Sequence, residues 1–295
     1  MLELVGLRKR YDEVVALDGC HLAVRSGRMV GFLGPNGAGK TSAMRAIFGL
    51  LRLDEGGVAW NGRPVGPEVR RRFGYMPEAR GLYPRMKVRA QLTYLGRLHG
   101  LDRKRASEAA DRWLGKMGLE DRAESRLEEL SHGNQQRVQL AASLIHDPEV
   151  LVLDEPFSGL DPLGVEDMAR ILRQSARSGA AVLFSSHQLD LVEDLCDDVA
   201  IINRGRVVLA GDVKSLKDQA RYRRLELDTD STAGFLERIP GAELLQSRGS
   251  RHTVLVPAEA DVHELFGLVP ERVPIREFTY RPPTLSDLFK EAVAG

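Results

Sequence analysis

Only two cysteines occur in the 295 residues, Cys20 and Cys196, far apart and without a C-x-x-C spacing. That excludes a disulfide framework and a cysteine-built metal site, and leaves two reduced thiols in a reducing compartment. Long apolar runs are missing too. No stretch approaches the roughly 18 residues of a membrane-crossing helix, and the start, MLELVGLRKRY, meets charge too early for a secretory leader. Neither sign of charge is in excess, since 42 Lys and Arg balance 42 Asp and Glu. Bulk positive charge is therefore not available to hold nucleic acid, and no nucleic-acid partner is expected. Local basic runs remain at Arg70–Arg72 and at 221–224; these are either solvated faces or a contact with the inner leaflet of a membrane. No internal repeat is visible.

What is present suits a folded α/β protein with a substantial core: 43% apolar and 28% charged residues. Leu2, Leu4 and Leu7, then Leu22 and Val24, follow strand spacing. The run Met29 to Leu33 is short, apolar and ends in a glycine-rich turn, after which Ser42 to Leu51 reads as a helix. Helical spacing fills 86–146, through Leu92, Leu95 and Leu98, then Ala109, Trp113 and Met117, then Val138, Ala141, Leu144 and Ile145. From residue 150 short apolar runs return, at 150–153, 181–184 and 199–202, separated by helical spacers, which predicts a largely parallel sheet. A second unit is expected from about residue 215 to 295. It is a small α+β domain with strands near Leu225 and Val254, helices over 261–268 and 286–293, and no catalytic motif. A regulatory or dimer-supporting role is expected for it.

Two motifs carry phosphate chemistry. Gly34-Pro35-Asn36-Gly37-Ala38-Gly39-Lys40-Thr41 has the form G-x-x-x-x-G-K-[ST] and stands between a strand and a helix. Its glycines let backbone N–H groups converge on phosphates at a helix N-terminus. Lys40 adds a point charge, and the Thr41 hydroxyl can reach Mg²⁺. Further on, Leu151-Val-Leu-Asp154-Glu155 ends a buried strand in two carboxylates. Asp154 is expected in the Mg²⁺ shell, and Glu155, one residue on, is placed to polarise water for attack on a γ-phosphate. Kinases and GTPases share such motifs.

The segment Leu130-Ser131-His132-Gly133-Asn134-Gln135-Gln136-Arg137 narrows the choice, because it resembles the signature of ABC transporter ATPases, with His132 and Asn134 where glycine and glutamine are commoner. The resemblance covers residues 1 to about 214 and implies a P-loop NTPase core with a helical subdomain at about 86–146. Within it Ser131, Gly133 and Asn134, with Asp161 of Ser158-Gly-Leu-Asp161, contact ATP held by a partner's loop, which implies a homodimer or a paired ATPase subunit. ATP is bound by Tyr11, stacking on adenine, and by Gly34, Pro35, Asn36, Gly37, Ala38, Gly39, Lys40, Thr41 and Ser42. His187, in Phe184-Ser-Ser-His187, resembles the switch histidine that reaches the γ-phosphate. Glu78 takes the place of the usual glutamine and either joins Thr41 and Asp154 around Mg²⁺ or faces solvent. The segments 74–84 and 186–193, together with Pro283-Thr-Leu-Ser-Asp-Leu-Phe, look like prokaryotic export ATPases, including sodium-efflux subunits, whose permease is a separate chain. A peripheral place on the cytoplasmic face of the cell membrane follows from that likeness.

Overall fold

The computed structural model describes residues 1–79, 81–229, 241–267 and 275–294. The chain divides into two compact units, Met1–Ala210 and Gly211–Gly295.

The first unit opens with the hairpin of β1 (Leu2–Tyr11) and β2 (Val14–Val24), joined by β4 (Glu55–Trp60) and β5 (Arg63–Pro64) into a four-stranded sheet of order β2-β1-β4-β5. Alternation puts Leu2, Leu4 and Leu7 of β1 and Leu22 and Val24 of β2 into one core with the P-loop strand. That strand, β3 (Met29–Leu33), lies inside a second sheet of order β10-β9-β3-β8-β7-β6. Its other members are β6 (Phe73–Met76), β7 (Val150–Leu153), β8 (Ala181–Ser185), β9 (Asp198–Asn203) and β10 (Arg206–Asp212). The pairs from β9 through β3, β8 and β7 to β6 are all parallel. β3, β7 and β8 are buried along their whole length, which is why they read as unbroken apolar runs rather than as alternation.

Helices α1 (Lys40–Ile47), the single turn α2 (Pro67–Arg70), α6 (Pro162–Arg177) and α7 (Leu189–Leu195) connect these strands. The first begins two residues before its expected start and stops at Ile47, because Gly49 turns the chain with a φ of 65°. Between β6 and β7 the chain leaves the sheet for α3 (Val88–Leu98), α4 (Arg103–Met117) and α5 (His132–Leu144). Where this helical subdomain rejoins the sheet, His99 and His146 stack 3.7 Å apart and bond the carbonyls of Arg71 and Phe73 at the root of β6. Burial, then the neighbouring His99, pushes His146 down to about 4, so the His146 ring packs in its neutral form.

The second unit contains α8 (Val213–Asp218) and a sheet of order β12-β13-β11-β14, made of β11 (Tyr222–Thr229), β12 (Glu243–Arg248), β13 (Arg251–Pro257) and β14 (Ile275–Arg281). Helices α9 (Val262–Gly267) and α10 (Leu285–Ala294) complete it. Leu225, Leu227, Val254, Val256 and Leu265 form its core. The helix expected over 261–268 covers Val262 to Gly267; Leu268 lies outside the described residues.

Several residues of the basic runs make ion pairs or hydrogen bonds within the fold. Arg70 donates to the Ile47 carbonyl, Arg71 pairs with Glu68 and Arg72 with Glu149. Arg223 caps the carbonyls of Asp218 and Ala220, and Arg224 is held by Glu226 and Asp287. Arg71 and Arg72 nevertheless keep exposed side chains.

Candidate active site

The phosphate-binding loop grows from the C-terminal end of β3 and turns into α1. Two of its glycines are demanded by close backbone approach. A Cβ on Gly34 would lie 2.3 Å from the Ile202 carbonyl oxygen, and one on Gly39, whose φ is 109°, 2.4 Å from that of Ala16. Asn36 and Gly37 are exposed at the tip, Pro35 is half-buried and Ala38 buried; Thr41 and Ser42 are half-buried in the first turn of α1. Lys40 folds back over the loop, its Nζ donating to the carbonyls of Gly34 at 2.6 Å and Pro35 at 3.2 Å. Burial lowers its pKa, against the opposing charges of Glu155, Asp154 and Glu78 in that order.

The parallel register brings the carboxylates of Asp154 and Glu155 to this loop. Leu153 of β7 pairs with Phe184 of β8, so the next residues, Asp154 and Ser185, emerge side by side at the carboxyl ends of their strands. Asp154 is 2% exposed and accepts from Thr41 Oγ1 at 2.9 Å and from Ser185 Oγ at 2.6 Å. Glu155 has a φ of 51°, a left-handed conformation unusual for a residue with a side chain. Its Oε1 lies 3.2 Å from His187 Nε2, and this oxygen is buried without a hydrogen bond of good geometry. Burial raises the Glu155 pKa; His187 and Lys40 pull it back, and the Asp154 charge adds to the rise. Lys40, Thr41, Asp154, Glu155 and His187 thus share one cleft.

Tyr11 stands apart from these bonds, at the end of β1 and 48% exposed, with Lys9 Nζ 5.2 Å over its ring. Glu78 is exposed beyond β6 and near enough to Lys40 to act on its charge. Its segment is anchored by Gln139, which donates to the Pro77 carbonyl at 2.6 Å.

The signature residues gather elsewhere. Ser131 caps α5 by accepting from Asn134 N. Asp161 caps α6 in the same way, accepting from Gly164 N at 2.7 Å. The His132 ring packs on Gly159, where a Cβ would meet it at 2.5 Å, and Gly133 faces Leu160. Ser131, Gly133, Asn134 and Asp161 therefore form a second cluster of two neighbouring helix starts.

Sequence reasoning missed Ser185 and Gln136, which bond the backbone around the carboxylates. The available signal was a hydroxyl ending an otherwise apolar strand and a glutamine inside the signature itself.

Among known proteins, residues 17–158 match the family described as ABC transporter, and residues 211–293 the family described as ATP-binding protein DrrA1-3-like, C-terminal domain. The chain is 39% identical to the ABC transporter ATP-binding protein YhaQ of Bacillus subtilis, over 100% of this chain and 99% of that protein. It is 38% identical to the daunorubicin resistance ATP-binding protein DrrA3 of Streptomyces coeruleorubidus, over 75% of this chain and 71% of that one. A solved ATP-binding subunit of an ABC transporter superposes with a TM-score of 0.69 at 31% identity, over 74% of this chain and 92% of that chain. The dimeric bacterial ABC transporter cassette MJ0796 shares the fold, with a TM-score of 0.67 at 22% identity over 72% and 99% of the respective chains. The chain belongs to the ABC transporter ATP-binding family and is an ATP-binding ATPase. Among the described residues, no helix is long and apolar enough to cross a membrane.

Proposed function

We propose that this ATPase powers export through a separate membrane permease, working from the cytoplasmic face as one half of a homodimer or of a pair with a second ATPase subunit. The observation that carries the reading is the cleft in which Thr41 and Ser185 fix Asp154 while Glu155 meets His187. Relatives with export and resistance names, DrrA3 and the Nod factor export ATP-binding protein I of Burkholderia thailandensis, support the direction of transport.

The donor set fits Mg²⁺. Thr41 and Asp154 offer hard oxygen ligands from adjoining elements, and no cluster of three or more His, Cys, Asp or Glu competes among the described residues. Magnesium is commonly held by such a partial set together with phosphate oxygens and water. Bound there with ATP, it offsets charge on the β- and γ-phosphates. Glu78, exposed beyond β6 and near enough to Lys40 to act on its charge, has an oxygen to add. The backbone N–H groups of the loop at 34–41, Pro35 excepted, and the Lys40 ammonium hold the phosphates, and Tyr11, exposed at the end of β1, stacks on adenine. Glu155, kept basic by burial, takes the proton of the attacking water, and His187 bridges it to the γ-phosphate. Ser131, Gly133, Asn134 and the Asp161 loop face outward to the partner's ATP, where the start of α5 favours negative charge. Closure then depends on ligand, because ATP binds the paired state better than the open one.

Affinity capture of the chain from detergent-solubilised membranes tests the permease assignment. Stoichiometric recovery of a polytopic membrane protein is expected. Recovery of ribosomes or DNA in its place would assign the ATPase to a soluble process.

A further inference from the structure

Glu155 is a non-glycine residue in a left-handed backbone conformation, a state that costs on the order of 1 kcal/mol and persists only when its surroundings hold it. Both sides of its peptide frame are held. Its N–H donates to Ser185 Oγ at 2.9 Å, while Gln136 Nε2 reaches its carbonyl at 3.3 Å and that of Pro156 at 3.0 Å. The same Ser185 hydroxyl gives its proton to Asp154 Oδ1 at 2.6 Å. One buried oxygen, 0% exposed, therefore bonds both the carboxylate offered to Mg²⁺ and the backbone of the base. Ser185 ends β8, and two residues later the chain presents His187 to Glu155.

We infer that Ser185 is a positioning residue for hydrolysis: its hydroxyl locks the spacing between Asp154 and Glu155 and ties both to the strand that carries His187. The chemistry of the position supports this over simple packing. A residue needed only to fill the strand end would be apolar, as Ala181 to Phe184 are. A hydroxyl is the smallest group that donates to a carboxylate while accepting from an amide, and it adds no charge to the cleft. Loss of it leaves the Glu155 N–H without its partner in a partly buried place and frees Asp154 to turn about its own side chain, held by Thr41 alone. Nucleotide binding through the loop at 34–41 does not involve Ser185, so the effect falls on metal affinity and turnover.

The inference rests on Asp154 and Glu155 acting as metal ligand and base. The test uses the full-length chain and its Ser185→Ala and Ser185→Cys variants. It reads kcat and KM for ATP, binding of ATP in EDTA, and binding of Mn²⁺ to the ADP complex by its free-ion resonance. Ser185→Ala is expected to lower kcat about 10- to 30-fold and weaken Mn²⁺ about fivefold, with KM and metal-free ATP binding within about twofold of the parent. Ser185→Cys keeps a side chain of similar shape but is a poor donor, so it is expected to follow the alanine variant. It also stands in should that variant not fold. Parental kcat and Mn²⁺ affinity in the cysteine variant would overturn the inference, as would a loss of metal-free ATP binding equal to the loss of Mn²⁺. Asp154→Ala separates the two levels: if it leaves Mn²⁺ affinity intact, the assignment of the site itself fails, and the role of Ser185 with it.

Discussion

At the scale of single residues, Glu155 carries the sharpest consequence. Burial raises its pKa, so it keeps its proton to a higher pH than an exposed glutamate does. A base is active only when deprotonated, so activity is lost as pH falls through this raised value. The acidic limb of kcat/KM, which reports the free enzyme, is therefore expected above the ordinary glutamate range of about 4.3. Glu155→Gln is expected to cut turnover at least 100-fold with ATP affinity kept, and to remove what remains of that limb. Steady-state kinetics across pH check both; a limb at or below the ordinary value, or near-parental turnover in the variant, contradicts the assignment.

At the scale of elements, the ending Thr284-Leu-Ser-Asp287 shows how a short motif acquires a physical reason. Asp287 Oδ2 accepts from the Thr284 N–H and hydroxyl at 2.9 and 2.8 Å, and Thr284 Oγ1 accepts from Asp287 N at 3.2 Å, a reciprocal cap on α10. Arg224 of β11 completes it at 3.1 Å, so the cap also pins the helix to the sheet. Burial works to raise the Asp287 pKa, yet the Thr284 and Arg224 hydrogen bonds hold it below the usual range. Asp287→Ala deletes the cap and leaves Arg224 partly uncompensated, which is expected to cost about 3 kcal/mol of the second unit's stability. Calorimetry should show that unit melting earlier while the first is unaffected; unshifted melting contradicts this reading. The same variant probes the dimer-supporting role, with weaker ATP-driven pairing expected of it and unchanged pairing marking the unit as a passive appendage.

The elements that were legible in the sequence are those whose pattern owes nothing to distant partners. β3, β7, β8 and β9 are runs buried on both faces, and α3 to α5 carry their spacing within themselves. β12 and β14 escaped detection because they are edge strands. β12 buries none of its residues, and β14 alternates weakly, so neither leaves an apolar stripe. The cleft was legible in its glycines, lysine and carboxylates, whose spacing is local. Ser185 was not, since its role exists only once parallel register sets it beside Asp154.

At the scale of the whole molecule, the two clusters of functional residues define the account. One, around Lys40, Asp154, Glu155 and His187, has what is needed to bind phosphates and activate water. The other, at the starts of α5 and α6, presents Ser131 and Asp161 to the exterior, and Gln136 of α5 ties it to the first through the carbonyls of Glu155 and Pro156. Each is half of a composite site if two chains meet head to tail. Exchange between the open and closed states is then set by ATP, and the permease takes its cycle from that exchange. Sedimentation velocity of the Glu155→Gln chain in ATP and Mg²⁺, alone and with Ser131→Arg added, tests this most directly. The account expects a dimer for the first and an ATP-bound monomer for the second, because the arginine side chain blocks the partner's γ-phosphate. A dimer that survives Ser131→Arg, or a Glu155→Gln chain that stays monomeric while saturated with ATP, would contradict it.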